Sequence, residues 1–125
     1  MSGRDALRAL AARCEAADGP SRELDEAIVQ GVYPELDIRR DGPDGLWRAH
    51  GSTMGRDCIL RVEDYTASLD AALTLVPART MWGAGVDEDG TGCADMPQHR
   101  LLVHARTPAL ALCAAALRAL AEGWE

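Results

Sequence analysis

Apolar residues recur every three or four positions toward both ends of the chain, and roughly every second position in two inner stretches. Near the N-terminus Leu7, Leu10, Ala11 and Cys14 share one helical face, with Ser2 and Asp5 as weak capping groups and Gly19-Pro20 as the stop. A second helix starts at Ser21, turns Leu24, Ala27 and Ile28 inward and ends near Gly31, so that residues 1–32 form a helical hairpin. Leu69, Ala72, Leu73 and Val76 mark a third helix, with Thr66 or Ser68 as its cap, Asp70 at the positive end of its dipole and Pro77 closing it. Residues 81–86 read as a strand that turns through Asp87-Glu88-Asp89-Gly90 into a partner over 91–96, with a third strand over 100–105. Thr107-Pro108 then caps and opens a last helix with Leu110, Cys113, Ala114, Leu117 and Ala121 inward.

Between these halves, residues 33–64 break the pattern. Pro34, the run Asp41-Gly42-Pro43-Asp44-Gly45 and Gly51-Ser52 all form turns. Residues 46–49 fit a short strand or an anchored loop, and residues 58–62 alternate as a strand. The expected architecture is one α+β domain spanning residues 1–125, with about four helices packed on a small antiparallel sheet of three to four strands.

A single domain of 125 residues buries roughly two-thirds of the surface its unfolded chain exposes. Without Phe, the core is assigned to Leu, Ala, Val and a few Trp and Met, which suits close helix packing. All 13 basic residues are Arg, and 20 acids bring the net charge to -7, so the overall charge gives no basic footprint for nucleic acid. Cys14, Cys58, Cys93 and Cys113 are irregularly spaced, as small buried apolar residues in a reducing compartment would be. No apolar run approaches the length of a membrane span and the start lacks a signal pattern, so the expected location is the cytoplasm of a bacterial host.

The stretch from Leu10 to Asp25, the Tyr65-Thr66-Ala67-Ser68-Leu69-Asp70-Ala71-Ala72 run with its Leu75-Val76-Pro77 ending, Trp82, and the Thr107-Pro108-Ala109-Leu110-Ala111-Leu112 helix start carry a resemblance. Over residues 7–32 and 65–121 the chain resembles a family of small proteins of unknown function encoded by bacteriophages and prophages of GC-rich bacteria. The resemblance implies a helix-sheet-helix sandwich domain and a phage origin, and it carries over no catalytic residue. The centre, with Trp47, His50 and the stretch from Gly51 to Asp57, departs from the family pattern.

Residues 87–98 place oxygen-bearing side chains at the first, third, fifth and ninth places of a calcium loop, with Gly at the sixth. Gln98 stands where a bidentate carboxylate is needed and Pro97 blocks the following helix, which favours an exposed hairpin turn. Cys93, His99 and His104, with Cys58, contain zinc-ligand types without zinc-knuckle spacing, and no metal is expected. Gly83-Ala84-Gly85 precedes an acidic turn rather than a helix, so it reads as close packing and not as a phosphate loop. Ser52 and Ser68 lack an elbow motif and no Cys has a partner signature, although His50 near Cys58 is conceivable as a base and nucleophile. Neighbouring acids such as Asp25-Glu26, Asp37 with Asp41, and Glu63-Asp64 read as a solvated face.

Together with the resemblance, these features point to a phage-encoded, non-enzymatic binding protein without cofactor. The expected action is inhibition of a bacterial defence system, of the anti-CRISPR type, by occluding a host protein or ribonucleoprotein complex at a basic nucleic-acid groove. No direct nucleic-acid or membrane contact is expected. The candidate contacts are Glu35, Asp37, Asp41, Asp44, Asp87, Glu88 and Asp89, with Trp47 as aromatic anchor. The alternatives are a structural or morphogenetic accessory that self-associates through the Ala-rich last helix, and a small metal-dependent enzyme built on Cys93, His99 and His104.

Overall fold

The computed structural model describes residues 3–53 and 56–123. Ser2, read as a capping group, and Met54 and Gly55, in the stretch that departs from the family pattern, lie outside the described residues. Helices α1 (Gly3–Ala16) and α2 (Arg22–Val32) are followed by strands β1 (Asp37–Arg40), β2 (Trp47–Thr53) and β3 (Arg56–Arg61). A short helix α3 (Leu69–Leu73) leads into β4 (Gly83–Val86), β5 (Gly92–Met96), a 3-10 turn (Pro97–His99), β6 (Leu101–Ala105) and α4 (Pro108–Glu122). The fold is α+β, with four α-helices among the described residues.

Its strands form two antiparallel meanders, β1-β2-β3 and β4-β5-β6, which share no strand. The pattern predicted one sheet, because the first meander does not alternate visibly. Its inward row is Ile38, Ala49 and Leu60, while the other face carries Arg39, Arg48 and Arg61 directly opposite one another. The run from Asp41 to Gly45, read as a break, connects β1 to β2, and Gly42 (φ 80°) and Gly45 (φ 66°) supply its left-handed positions.

The layers are set by contacts. The helix α2 packs on the first sheet and on α1, α1 packs on α4, and α4 covers the second sheet. The helices therefore lie between two sheets, a layer order that differs from the helix-sheet-helix sandwich implied by the resemblance. The inward residues expected of α1 are buried, and so are Leu24 and Ile28 of α2. Glu15 accepts two hydrogen bonds from Arg118 (2.7 and 2.8 Å), clamping α1 to α4. Thr107 caps α4 by accepting from the Leu110 N–H (3.2 Å). Every residue from Ala109 to Leu117 is buried. This Ala-rich stretch is spent on packing within the chain.

Two elements are shorter than the pattern predicts. Ser68 caps α3, but the Thr74 side chain donates to the Ala71 carbonyl (2.6 Å) and the helix stops at Leu73, short of Pro77. Strand β4 begins at Gly83, and the Met81 N–H donates instead to the Gln98 side chain (2.6 Å).

Candidate functional site

The candidate acidic contacts do not form one surface. In the centre, Asp44 takes a bidentate pair from Arg48 (2.9 and 2.5 Å), and Arg48 also donates to the Asp41 carbonyl (2.7 Å). Arg48 holds the Asp44 carboxyl well down, at about 2, chiefly through its hydrogen bonds. Asp41 also lies against His50 Nε2, and Asp37 pairs with Arg39 (3.3 Å). Glu35 is exposed, whereas Trp47 is half-buried and packs against the core instead of standing free as an anchor. Three of the four central acids are thus engaged by cations of their own sheet, because strands this short bring arginines and turn carboxylates within reach.

The second hairpin is different. Its turn closes with Asp87 N–H donating to Thr91 O (2.7 Å) and Gly90, at φ 88°, donating to Asp87 O (2.9 Å). Asp89 accepts from the Thr91 N–H (3.0 Å) and hydroxyl (2.6 Å), and these bonds lower its pKa. Asp87 pairs with His104 (3.0 Å), while Glu88 and Asp89 are exposed. Val86 (66% exposed) adjoins this acidic turn, and Met81 (65%) and Trp82 (40%) stand at the other end of β4, whose outer edge is open. Gln98 pins the segment, accepting from Met81 N–H and donating to Arg79 O (3.4 Å). The edge is therefore apolar and held in place, and it is bordered by carboxylates.

Sequence reasoning found the turn but placed Met81 and Trp82 inside a strand. The available signal was the shortness of Gly83-Ala84-Gly85-Val86, which cannot carry flanking apolar residues into the core. Gly83 itself lies close against Asp95, where a Cβ would meet Oδ1 at 2.5 Å, rather than against a Trp or a helix.

The residues weighed for metals disperse. Cys93 and His104 are Cα partners across β5 and β6, but His99 lies apart and pairs with Glu122 (2.5 Å). Among the described residues no group of three or more His, Cys, Asp or Glu could hold a metal ion. The Cys93 thiol is raised by desolvation and by Asp87, which weakens it as a nucleophile. The calcium-loop spacing is broken by β5, which starts at Gly92. His50 stands opposite Ile59 in the β2–β3 register rather than opposite Cys58. Asp25, read as part of a solvated face, is 1% exposed.

No helix among the described residues is long and apolar enough to cross a membrane. The chain matches no protein-family model, no curated protein and no solved structure.

Proposed function

We propose that this protein is a phage- or prophage-encoded binding protein that docks the β4 edge and its acidic turn on a basic macromolecular partner and covers it. The observation that carries the reading is the exposure of Met81 and Trp82 at one end of the open β4 edge and of Val86 at the other, where Asp87, Glu88 and Asp89 follow. Aromatic and Met side chains within a polar rim are the composition of protein interfaces, where a few such anchors supply most of the affinity. The carboxylate border favours a partner with basic charge around its own apolar patch, and steers association toward it.

The phage origin and the anti-defence role rest on the resemblance of residues 7–32 and 65–121. On that basis the partner is a host defence protein or ribonucleoprotein of the CRISPR type in the bacterial cytoplasm, occluded at its nucleic-acid groove. The reaction class is none, and no cofactor enters. Of the wider acidic set Asp37, Asp41 and Asp44 already face cations, which leaves Glu35 and the turn.

The test is plaquing on CRISPR-defended strains that express either the wild-type protein or the double variant M81E/V86E. Wild type is expected to restore plaquing, and the folded double variant to lose that effect. Wild-type protein that leaves plaquing unchanged on defended strains defeats the anti-defence role, and a fully active double variant removes the β4 edge as the docking surface.

A further inference from the structure

Strand β4 pairs with β5 alone and forms one edge of the second sheet, whose opposite edge, β6, has α1 against it. In the β4–β5 hairpin the Asp87 N–H donates to the Thr91 carbonyl (2.7 Å). Antiparallel ladders turn alternate residues toward the neighbouring strand, so Gly85 and Gly83 bond to Cys93 and Asp95 as Asp87 does to Thr91. The N–H and C=O groups of Ala84 and Val86 therefore point away from the sheet, along an edge where no described strand runs.

An unpaired edge is a template for another strand, and proteins guard such edges with Lys, Pro, a bulge or an inward charge. From Met81 to Val86 there is no charged residue and no proline, and the register from Gly83 to Val86 runs without a bulge. The guard that remains is the shortness of the strand, four residues.

The order of residues along this edge supplies a partner. Around Ala84 the sequence reads Trp82-Gly83-Ala84-Gly85-Val86, which in either direction runs from the central alanine through a glycine to a large apolar residue. Turned end for end, the edge matches itself. Two copies related by a twofold axis at Ala84 set Ala84 against Ala84, Gly83 against Gly85 and Trp82 against Val86. In that register the outward backbone groups of Ala84 meet those of the other Ala84, and those of Val86 meet Trp82. A twofold contact of this kind closes at two copies.

Charge selects the same direction. The acidic turn of Asp87, Glu88 and Asp89 follows one end of β4, and exposed Arg79 precedes the other. Antiparallel pairing sets each acidic turn beside the Arg79 end of the other copy, whereas parallel pairing would bring the two acidic turns together. Gln98 already fixes the Arg79 end, accepting from Met81 N–H (2.6 Å) and donating to Arg79 O (3.4 Å), so pairing has little there to order.

We infer that a second copy of this chain pairs antiparallel along β4, which joins the two three-stranded sheets into one continuous sheet across a symmetric dimer. The inference stands apart from the docking proposed above, with which it shares an edge, so that in any one molecule each excludes the other.

Sedimentation equilibrium and amide exchange on the full chain test it. A short edge makes a small interface, so a weak dimer is expected, with a Kd of about 10 μM to 1 mM. Exchange of the Ala84 and Val86 amides should slow as concentration rises through that range, while the Gly85 amide, bonded to β5 in either state, stays constant. In a mixture of isotope-labelled and unlabelled chains, NMR contacts between copies should join Trp82 to Val86. V86E sets a carboxylate against Trp82 of the other copy from an exposed position, and should weaken the dimer about tenfold or more with unchanged melting temperature of the dilute protein. Wild type that stays monomeric at millimolar concentration overturns the pairing and leaves the docking of a basic partner untouched. A dimer with constant Ala84 and Val86 exchange, or V86E associating like wild type, overturns the edge as its interface. Growth beyond two copies overturns the twofold.

Discussion

Thr66 closes on Asp25 inside the protein: its hydroxyl (2.8 Å) and its backbone N–H (2.9 Å) both donate to Asp25 Oδ1. The same hydroxyl oxygen accepts from the Ser21 N–H (2.8 Å), and the other Asp25 oxygen accepts from Arg22 (3.1 Å). This node ties the start of α2 to the segment leading into α3. D25A leaves the buried Thr66 N–H with no acceptor and its hydroxyl with only the Ser21 carbonyl (3.1 Å), and is expected to cost about 2 to 3 kcal/mol in urea unfolding. T66V, which keeps the shape and loses the hydroxyl, should cost about 1 to 2 kcal/mol. A loss below 1 kcal/mol for D25A would show that the node is not a structural support.

The Arg48–Asp44 pair gives stability a pH dependence on the acid side. Asp44 is held at about 2 against an ordinary value of 3.8, chiefly by its hydrogen bonds to Arg48, so folding favours its ionised form. The contribution is complete above the ordinary value and fades as pH falls through the folded one. The wild-type lead over D44N in urea midpoint is therefore expected to hold at neutral pH and to shrink between pH about 4 and about 2. A lead that stays constant across that window counts against the linkage.

Two of the thiols are sealed. Cys14 and Cys113 are fully buried, burial pushes the Cys14 thiol up to about 12 and raises Cys113 further, and Cys113 donates to the Tyr65 carbonyl (3.2 Å). Neither supplies thiolate at neutral pH. Iodoacetamide labelling read by peptide mapping should mark partly exposed Cys93 in the native protein and reach Cys14 and Cys113 only with unfolding. Native-state labelling of Cys113 at the rate of Cys93 would contradict the packing of α4.

A pair of glycines on neighbouring strands should respond in opposite ways to alanine. At Gly92 a Cβ would sit 2.1 Å from the Thr107 carbonyl carbon, against backbone that cannot move without shifting the α4 cap. At Gly85 nothing lies within 4 Å. G92A is expected to lose about 3 kcal/mol, or roughly 10 °C in melting temperature, and G85A to stay within about 0.5 kcal/mol of wild type. Equal melting temperatures for the two would mean that β5 does not approach α4 so closely.

The helices were legible because their signals are local. Ser68 and Thr107 cap where the residue types say they should, and the Asp87 to Gly90 turn lies where Asp-Gly predicts it. The first sheet was hidden because its outward row is Arg39, Arg48 and Arg61, whose charge obscures the apolar row Ile38, Ala49 and Leu60 behind it. Asp25 was misread for a related reason, since a carboxylate in a helical sequence looks solvated until a distant Thr66 and a neighbouring Arg22 are placed around it. Which acids stay free was equally out of reach, because Asp44 is neutralised by a turn geometry and Glu88 is not.

Seven of the fifteen residues of α4 are alanines, while Leu110, Leu112 and Leu117 are among the largest fully buried side chains of the protein. The helix touches α1 on one side and the second sheet on the other, so the leucines fill the space that the alanines leave for close approach. A larger residue at Ala111, Ala114 or Ala115 therefore has no solvent to move into, and must push either α1 or the sheet away from the helix.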